Sequence, residues 1–192
     1  MVEAAYDYVV IGAGTAGSVL AARLSEGDGT VLLLEAGPVA LPPEVYDLAS
    51  FPSRLLGSAI DWSFTTQAQP GTGGTVHVWP RGRALGGTGT INAMAHIRGH
   101  RANYDGWAAR GADGWAYDDL LPCFKRSETA GGRDPEYRGT EGPLIVAPPS
   151  EPTPDALAFR QAVIEAGHPV SDDVNGRDQV EPSLDERHQP GM

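Results

Sequence analysis

The sequence holds a single cysteine, Cys123, and a single lysine, Lys125. One cysteine permits no internal disulfide and no cysteine cluster around a metal. Thirteen arginines and that lysine face twenty-five acidic residues, for a net charge of −11. Such a chain lacks the basic surface that nucleic-acid binding through phosphates requires. It has no apolar run of the ~20 residues a membrane span needs, and no basic amphipathic stretch for a membrane surface. Met1 leads almost at once into an apolar run, with Glu3 and Asp7 in place of a basic leader. No secretory signal is read there, and the expected location is the cytoplasm.

What is present is enough for a packed core. The chain has 192 residues, 41% of them hydrophobic and 20% charged, which suits one medium domain or one domain with part of another. Twenty-five glycines and sixteen prolines predict long loops and short elements. "YDYVVI" (6–11) reads as a buried parallel strand, "AGSVLAARLSE" as a helix stopped by Gly27 and Gly29, and "TVLLLEAG" (30–37) as a second buried strand. A short helix is expected near 44–49, strands within 60–70 and 75–80, and a helix starting over 91–97. Two helices are expected in 103–128, the second starting at Asp118 and Asp119. A strand over 142–149 and a helix over 153–167 follow, with Ala156, Phe159, Val163 and Ala166 on one face. Beyond Asp172 the text is polar and irregular.

The first strand, helix and second strand form a β-α-β unit, and "GAGTAG" fits G-x-G-x-x-G between its strand and helix. Gly12 permits the tight turn, Gly14 lets a pyrophosphate approach the backbone, and Gly17 lets the helix pack on the strand. The helix start, with Thr15 and Ala16, faces the anion. Glu35, followed by Ala36, ends the second strand, where a carboxylate accepts from ribose hydroxyls and disfavours a 2′-phosphate. The motif alone does not choose FAD over NAD. Its place at the N-terminus, with no further regular β-α-β repeat, leans toward FAD. A bare β-α turn is the structural alternative.

A second glycine-rich stretch, "GRALGGTGTINAMAHIRG" (82–99), follows seventy residues later. Together with Pro80 and Arg81 it resembles the signature of the glucose–methanol–choline (GMC) family of flavin oxidoreductases. "YDYVVIGAGTAGSVLAARLSE", "VLLLEAGP", "NYDGWAARGADGWAYDDLLPCFKRSE", "GPLIVAPP" and "AVIEAGHPVSDDVNG" resemble further segments of that family, in the same order. The resemblance implies an α/β, Rossmann-like FAD/NAD(P)-binding fold with an incomplete substrate-domain portion. The implied layout is a FAD-binding domain over 1–37 and 79–149, a lid or insertion over 38–78, and the start of a substrate domain over 150–192. It implies FAD as cofactor, with the second loop beside its flavin end. The implied contacts are Arg81, Gly82, Leu85, Gly86, Gly87, Gly89, Asn92, Ala93, Met94 and Ala95, with Trp62 in a lid segment. Backbone N–H groups from 86–89 are expected to face phosphate or flavin oxygens. Alternatives stay open: Asn92 as a helix N-cap, Trp62 as a core aromatic, Arg81 and Arg83 as surface ion-pair partners.

The resemblance implies oxidation of a CH–OH group on a small-molecule alcohol, by hydride transfer to flavin N5. The family's base is a histidine near the C-terminus of a longer chain. None of His77, His96, His100, His168 and His188 lies in a segment like that one. Some members bind FAD covalently through a histidine near this loop. The matching positions here are Thr90 and Ile91, and His96 is offset, so a packed or solvent-facing histidine is expected. Cys123 is expected to be a buried, small apolar residue. No catalytic residue and no metal ligand is expected. The other reading is a non-catalytic FAD or dinucleotide-binding fragment, or a half-enzyme whose partner chain carries the histidine. Unpaired sheet edges would then serve association. The final "VEPSLDERHQPGM" reads as an altered or truncated end.

Overall fold

The computed structural model describes residues 5–47, 54–148, 151–179 and 187–188. The chain divides into two units, Met1–Ala93 and Met94–Met192.

In the first unit, β-branched and leucine-rich runs form β1 (Tyr8–Ile11) and β2 (Val31–Leu34), paired in parallel with Tyr8 opposite Val31 and Ile11 opposite Leu34. The Gly12 N–H extends the ladder to the Leu34 carbonyl at 2.7 Å. Between them lies α1 (Thr15–Leu24), so the β-α-β unit is present. Its strands are not buried as expected. Ile11 is 84% exposed, and only Ala21 of α1 is buried. The two strands pair only with each other among the described residues, and Val9, Ile11 and Leu34 are exposed. The core of this unit lies under the second glycine-rich loop instead. Leu55, Ile60, Ala84 and Ile91 cluster there, with Leu41 and Val45 packed against them.

Pro43–Tyr46 make one 3₁₀ turn where a short helix was expected, and residues 48–49 lie outside the described residues. β3 (Phe64–Thr65) and β4 (Val78–Trp79) form an antiparallel pair, Phe64 opposite Trp79. No helix forms over 91–97. Gly87–Thr90 make a 3₁₀ turn, and Met94 adopts φ +60, a left-handed conformation incompatible with continuing a helix.

The second unit begins with α2 (Arg101–Ala108) and α3 (Tyr117–Ser127). The His100 Nδ1 accepts from the Ala102 N–H and caps α2. Asp118 and Asp119 start α3, and Lys125 and Arg126 end it, matching the helix dipole at both ends. Tyr104 packs edge-on against Trp107 at 5.2 Å and against Phe124 at 5.6 Å, which joins the two helices. β5 (Glu128–Thr129) pairs in parallel with β6 (Leu144–Ala147), and β6 pairs antiparallel with β7 (Arg187–His188). The tail is thus not wholly irregular: a two-residue strand closes this sheet.

α4 (Pro154–Glu165) is capped by Thr153, whose hydroxyl accepts from the Ala156 N–H at 3.2 Å. Gly167, at φ +88, closes its other end, with the Gly167 and His168 amides returning to Ile164 and Val163. The apolar positions of α4 do not form a buried face, and Phe159 is 70% exposed. With little burial to support α4, its cap matters more. Thr153→Ala is expected to cost about 1 kcal/mol, read as a fall in the urea midpoint followed by circular dichroism.

Candidate cofactor-binding site

The first loop leaves its approach open. Gly12 sits at φ +93, and a Cβ there would meet nothing within 4 Å. At Gly14 an added Cβ would touch only the Gly87 Cα, at 3.9 Å. Gly17 is the opposite case, because its Cβ would lie 1.9 Å from the Gly12 carbonyl oxygen. So one glycine sets the turn, one leaves space in front of the loop, and one allows helix-to-strand contact. The first intrahelical bond runs from the Ser18 N–H to the Gly14 carbonyl at 2.9 Å. The amides of Thr15, Ala16 and Gly17 precede that ladder, and no side chain caps them among the described residues. An uncapped helix start with space before it suits a pyrophosphate.

Glu35 follows β2 and is gripped by backbone on both oxygens. Oε2 accepts from the Ala13 N–H at 2.7 Å and Oε1 from the Gly37 N–H at 2.9 Å. Each carboxylate oxygen has further lone-pair capacity for a hydroxyl donor. Ala36 is exposed beside it.

The second loop packs directly onto the first. The Gly86 N–H donates to the Ala13 carbonyl at 2.8 Å, and Gly14 and Gly86 form a parallel bridge. Gly87, at φ +56, brings its backbone so close that a Cβ would lie 2.7 Å from the Gly14 Cα. A Cβ on Gly89 would meet the Thr15 hydroxyl at 2.9 Å. Leu85 is held by its N–H on the Pro38 carbonyl. The amides of Gly86 and Gly87 do not face outward as the sequence suggested. The Gly86 amide is consumed in joining the two loops, at Ala13, and the Gly87 amide closes a turn within the second loop, at Ala84. Asn92 and Ala93 are exposed at the end of this unit. With no helix after it, Asn92 is not an N-cap.

Trp62 is not a core aromatic. It is half-exposed and stacks on Phe64 at 5.7 Å, with the Arg83 guanidinium 5.4 Å from its ring centre. Arg81 lies likewise over Trp79, at 5.2 Å. Both arginines therefore sit on aromatic faces. Before Trp62 stands Asp61, which the sequence reading overlooked. It is only 8% exposed. Burial alone would raise its pKa, but the Gly57, Ser63 and Arg81 amides and the Ser63 hydroxyl outweigh that and hold it below the usual carboxylate range.

In the second unit, Met94 holds its positive φ and Ala95 is exposed. His96 is neither simply packed nor solvent-facing. Its Nε2 lies 2.8 Å from Glu128 Oε2, and as a carboxylate only accepts, Nε2 is the donor. Glu128 is 1% exposed and also accepts from Arg98 at 2.7 Å, Arg138 Nε at 2.7 Å and the Gly139 N–H at 3.1 Å. Burial raises the Glu128 pKa, but His96, Arg138, the Gly139 amide and Arg98 outweigh it and bring it to about 2. Asp173 balances the second arginine, at 2.6 Å from Arg138. The fully buried Asn175 acts as a peptide mimic: Oδ1 accepts from the Arg98 N–H, and Nδ2 donates to the His96 carbonyl.

The other described histidines also have places away from any catalytic pair. His77 meets the Thr72 hydroxyl at 2.9 Å, His100 caps α2, and His168 is exposed after α4. Cys123 is exposed on α3, not buried, with Arg126 beside it at 3.5 Å. No group of three or more metal-ligating side chains occurs, and no helix is long and apolar enough to cross a membrane, among the described residues.

Residues 6–182 match the GMC oxidoreductase family, over its N-terminal part. The chain belongs to the GMC oxidoreductase family. It is 44% identical over 176 residues to the oxygen-dependent choline dehydrogenase of Brucella anthropi, covering 90% of this chain and 32% of that protein. Pyridoxine 4-oxidase from Mesorbium loti superposes with a TM-score of 0.91 at 37% identity, over 96% of this chain and 37% of that one. An FAD-dependent oxidoreductase from Chaetomium thermophilum superposes with a TM-score of 0.75 at 29% identity, over 90% and 31%. The GMC chain here thus spans about a third of the length of the curated relatives it matches. It carries the family's FAD-binding region, and FAD is the cofactor that goes with it.

Proposed function

We propose that this chain forms the FAD cradle of an oxidoreductase that acts on the CH–OH group of a small-molecule alcohol. The observation that carries the reading is the backbone seam of Gly14, Gly86 and Gly87, laid beside an uncapped helix start. In this reading Gly12, Gly14, Thr15, Ala16 and Gly17 receive the pyrophosphate, and Glu35 and Ala36 receive the ribose. Arg81, Gly82, Leu85, Gly86, Gly87, Gly89, Asn92 and Ala93 line the second loop, with Trp62 beside it. Met94 and Ala95 belong to the second unit. When bound, FAD supplies the hydride acceptor. The chain's own residues bind and orient, and none is assigned as a base; His77, His96 and His100 are engaged in contacts of their own. A choline-like or pyridoxine-like alcohol is the substrate class the relatives suggest.

The test is reconstitution. The purified chain, incubated with FAD and passed over a desalting column, is expected to keep flavin absorbance in stoichiometric amount. Glu35→Gln removes one carboxylate oxygen from this grip and is expected to weaken FAD roughly tenfold in titration calorimetry. A folded wild-type chain that emerges colourless refutes the reading.

A second reading, in which the cradle is completed for catalysis by another polypeptide, is favoured by the exposed apolar face of β1, where Val9 and Ile11 are bare. Alcohol-dependent bleaching of the flavin by the isolated chain would count against it.

A further inference from the structure

Asp61 receives three backbone N–H groups, two from its own turn and one from a segment 20 residues on. Its Oδ1 accepts from Ser63 and from Arg81, both at 2.9 Å, and its Oδ2 accepts from Gly57 at 2.8 Å. Ser63 is held at φ +51, a conformation rare for a residue with a side chain. Around this carboxylate two segments are sewn together. The Trp62 N–H donates to the Arg81 carbonyl at 2.8 Å, and the Arg83 N–H to the Ile60 carbonyl at 2.7 Å. Asp61 and Gly82 form an antiparallel bridge.

The second segment leads straight to the cradle. The Gly82 N–H donates to the Thr88 hydroxyl at 3.2 Å, and a Cβ on Gly82 would lie 2.0 Å from the Gly87 carbonyl oxygen. Gly87 in turn lies against Gly14. A continuous run of backbone contacts therefore connects the Asp61 carboxylate with the point where the two glycine loops meet.

We propose that Asp61 is the positioning residue of the FAD cradle, fixing the 57–63 turn against Arg81 and Gly82 and so seating the second loop on the first. The proposal rests on the FAD reading above. Asp61 does not touch the cofactor. It acts through Gly82 and Gly87, and it sets the orientation of Trp62 by holding the residues on both sides. A carboxylate is required because three N–H donors converge on it. Asparagine keeps the shape but turns an NH₂ toward an N–H.

The experiment compares the wild-type chain, Asp61→Asn and Thr153→Ala, all titrated with FAD well below their unfolding transitions. Thr153→Ala serves as a control, weakened in a helix of the other unit. The expected result is a rise in FAD Kd of about tenfold or more for Asp61→Asn, with altered visible circular dichroism of the flavin, and an unchanged Kd for Thr153→Ala. Equal Kd and spectra for Asp61→Asn and wild type overturn the proposal. A wild-type chain that binds no FAD overturns the cofactor reading and this proposal together. Amide hydrogen exchange on the wild type decides the matter even if Asp61→Asn does not fold. FAD is expected to slow exchange at Gly57, Ser63 and Arg81 along with Gly86 and Gly87. Slowing confined to Gly86 and Gly87 overturns the proposal.

Discussion

Glu128→Ala is expected to destabilise the protein by about 3–5 kcal/mol, the range for removing one partner of a buried charge network. Arg98 and Arg138 are both buried and both point at this carboxylate, at 2.7 Å. Without it, the buried Arg98 guanidinium loses its carboxylate, Arg138 keeps only Asp173, and His96 loses its acceptor. Glu128→Gln retains the shape but not the charge, and is expected to lie between wild type and alanine. Chemical denaturation followed by fluorescence measures both. The same group sets the acid limit. Its folded pKa of about 2 lies below the ordinary value of 4.5. A carboxylate lowered on folding contributes stability that is complete above the unfolded pKa and disappears as pH falls through the folded one. The loss is therefore expected between about pH 4.5 and pH 2, and amounts to about 3 kcal/mol. In Glu128→Gln that part of the acid transition is expected to vanish. An unchanged acid profile would show that the network does not set it.

The second and third glycines of the first loop, Gly14 and Gly17, are expected to fail in different ways. In Gly17→Ala the new methyl would fall 1.9 Å from the Gly12 carbonyl oxygen, a backbone atom that has no rotamer to escape by. α1 must move off β1, at a cost of about 3 kcal/mol. In Gly14→Ala the methyl meets only one atom, at 3.9 Å, and the backbone at φ −73 is open to alanine. The fold is expected to change by no more than about 1 kcal/mol. The methyl stands in the space before the helix start, so FAD affinity is expected to fall on the order of 100-fold, about 3 kcal/mol. Thermal denaturation of the apo chain and FAD titration, measured on both variants, separate the two effects. If Gly14→Ala binds FAD as wild type does, the space before α1 is not the pyrophosphate site.

What the sequence made legible was local. The glycines at 12, 14 and 17 and the acid at 35 follow from the backbone of one strand-turn-helix, and each stands where its spacing predicted. The strand at 142–149 and the helices in 103–128 and 153–167 were likewise legible from short patterns. The partners that lie far along the chain were not. The role of His96 could not be read because its partner, Glu128, stands 32 residues away. Asp61 resembled any loop aspartate, as one of its donors, Arg81, is 20 residues on. The expected helix at 91–97 failed because Met94 is held in a left-handed conformation that no propensity assigns to methionine. The Gly86 amide was misread because the loop that claims it is about seventy residues upstream, whereas the Gly87 amide turns back locally to Ala84.

The bracket made by Asn175 has a consequence for synthesis. Asn175 leaves the ribosome 77 residues after Arg98. At ~5–20 residues per second, the nascent segment from Met94 to Gly99 waits roughly 4–15 s for the amide that will hold it. During that interval Glu128 and Arg138 emerge, so the Glu128 carboxylate is on the chain before the Asn175 amide. The Asn175 bracket is thus the later of the two sets of partners to be synthesised.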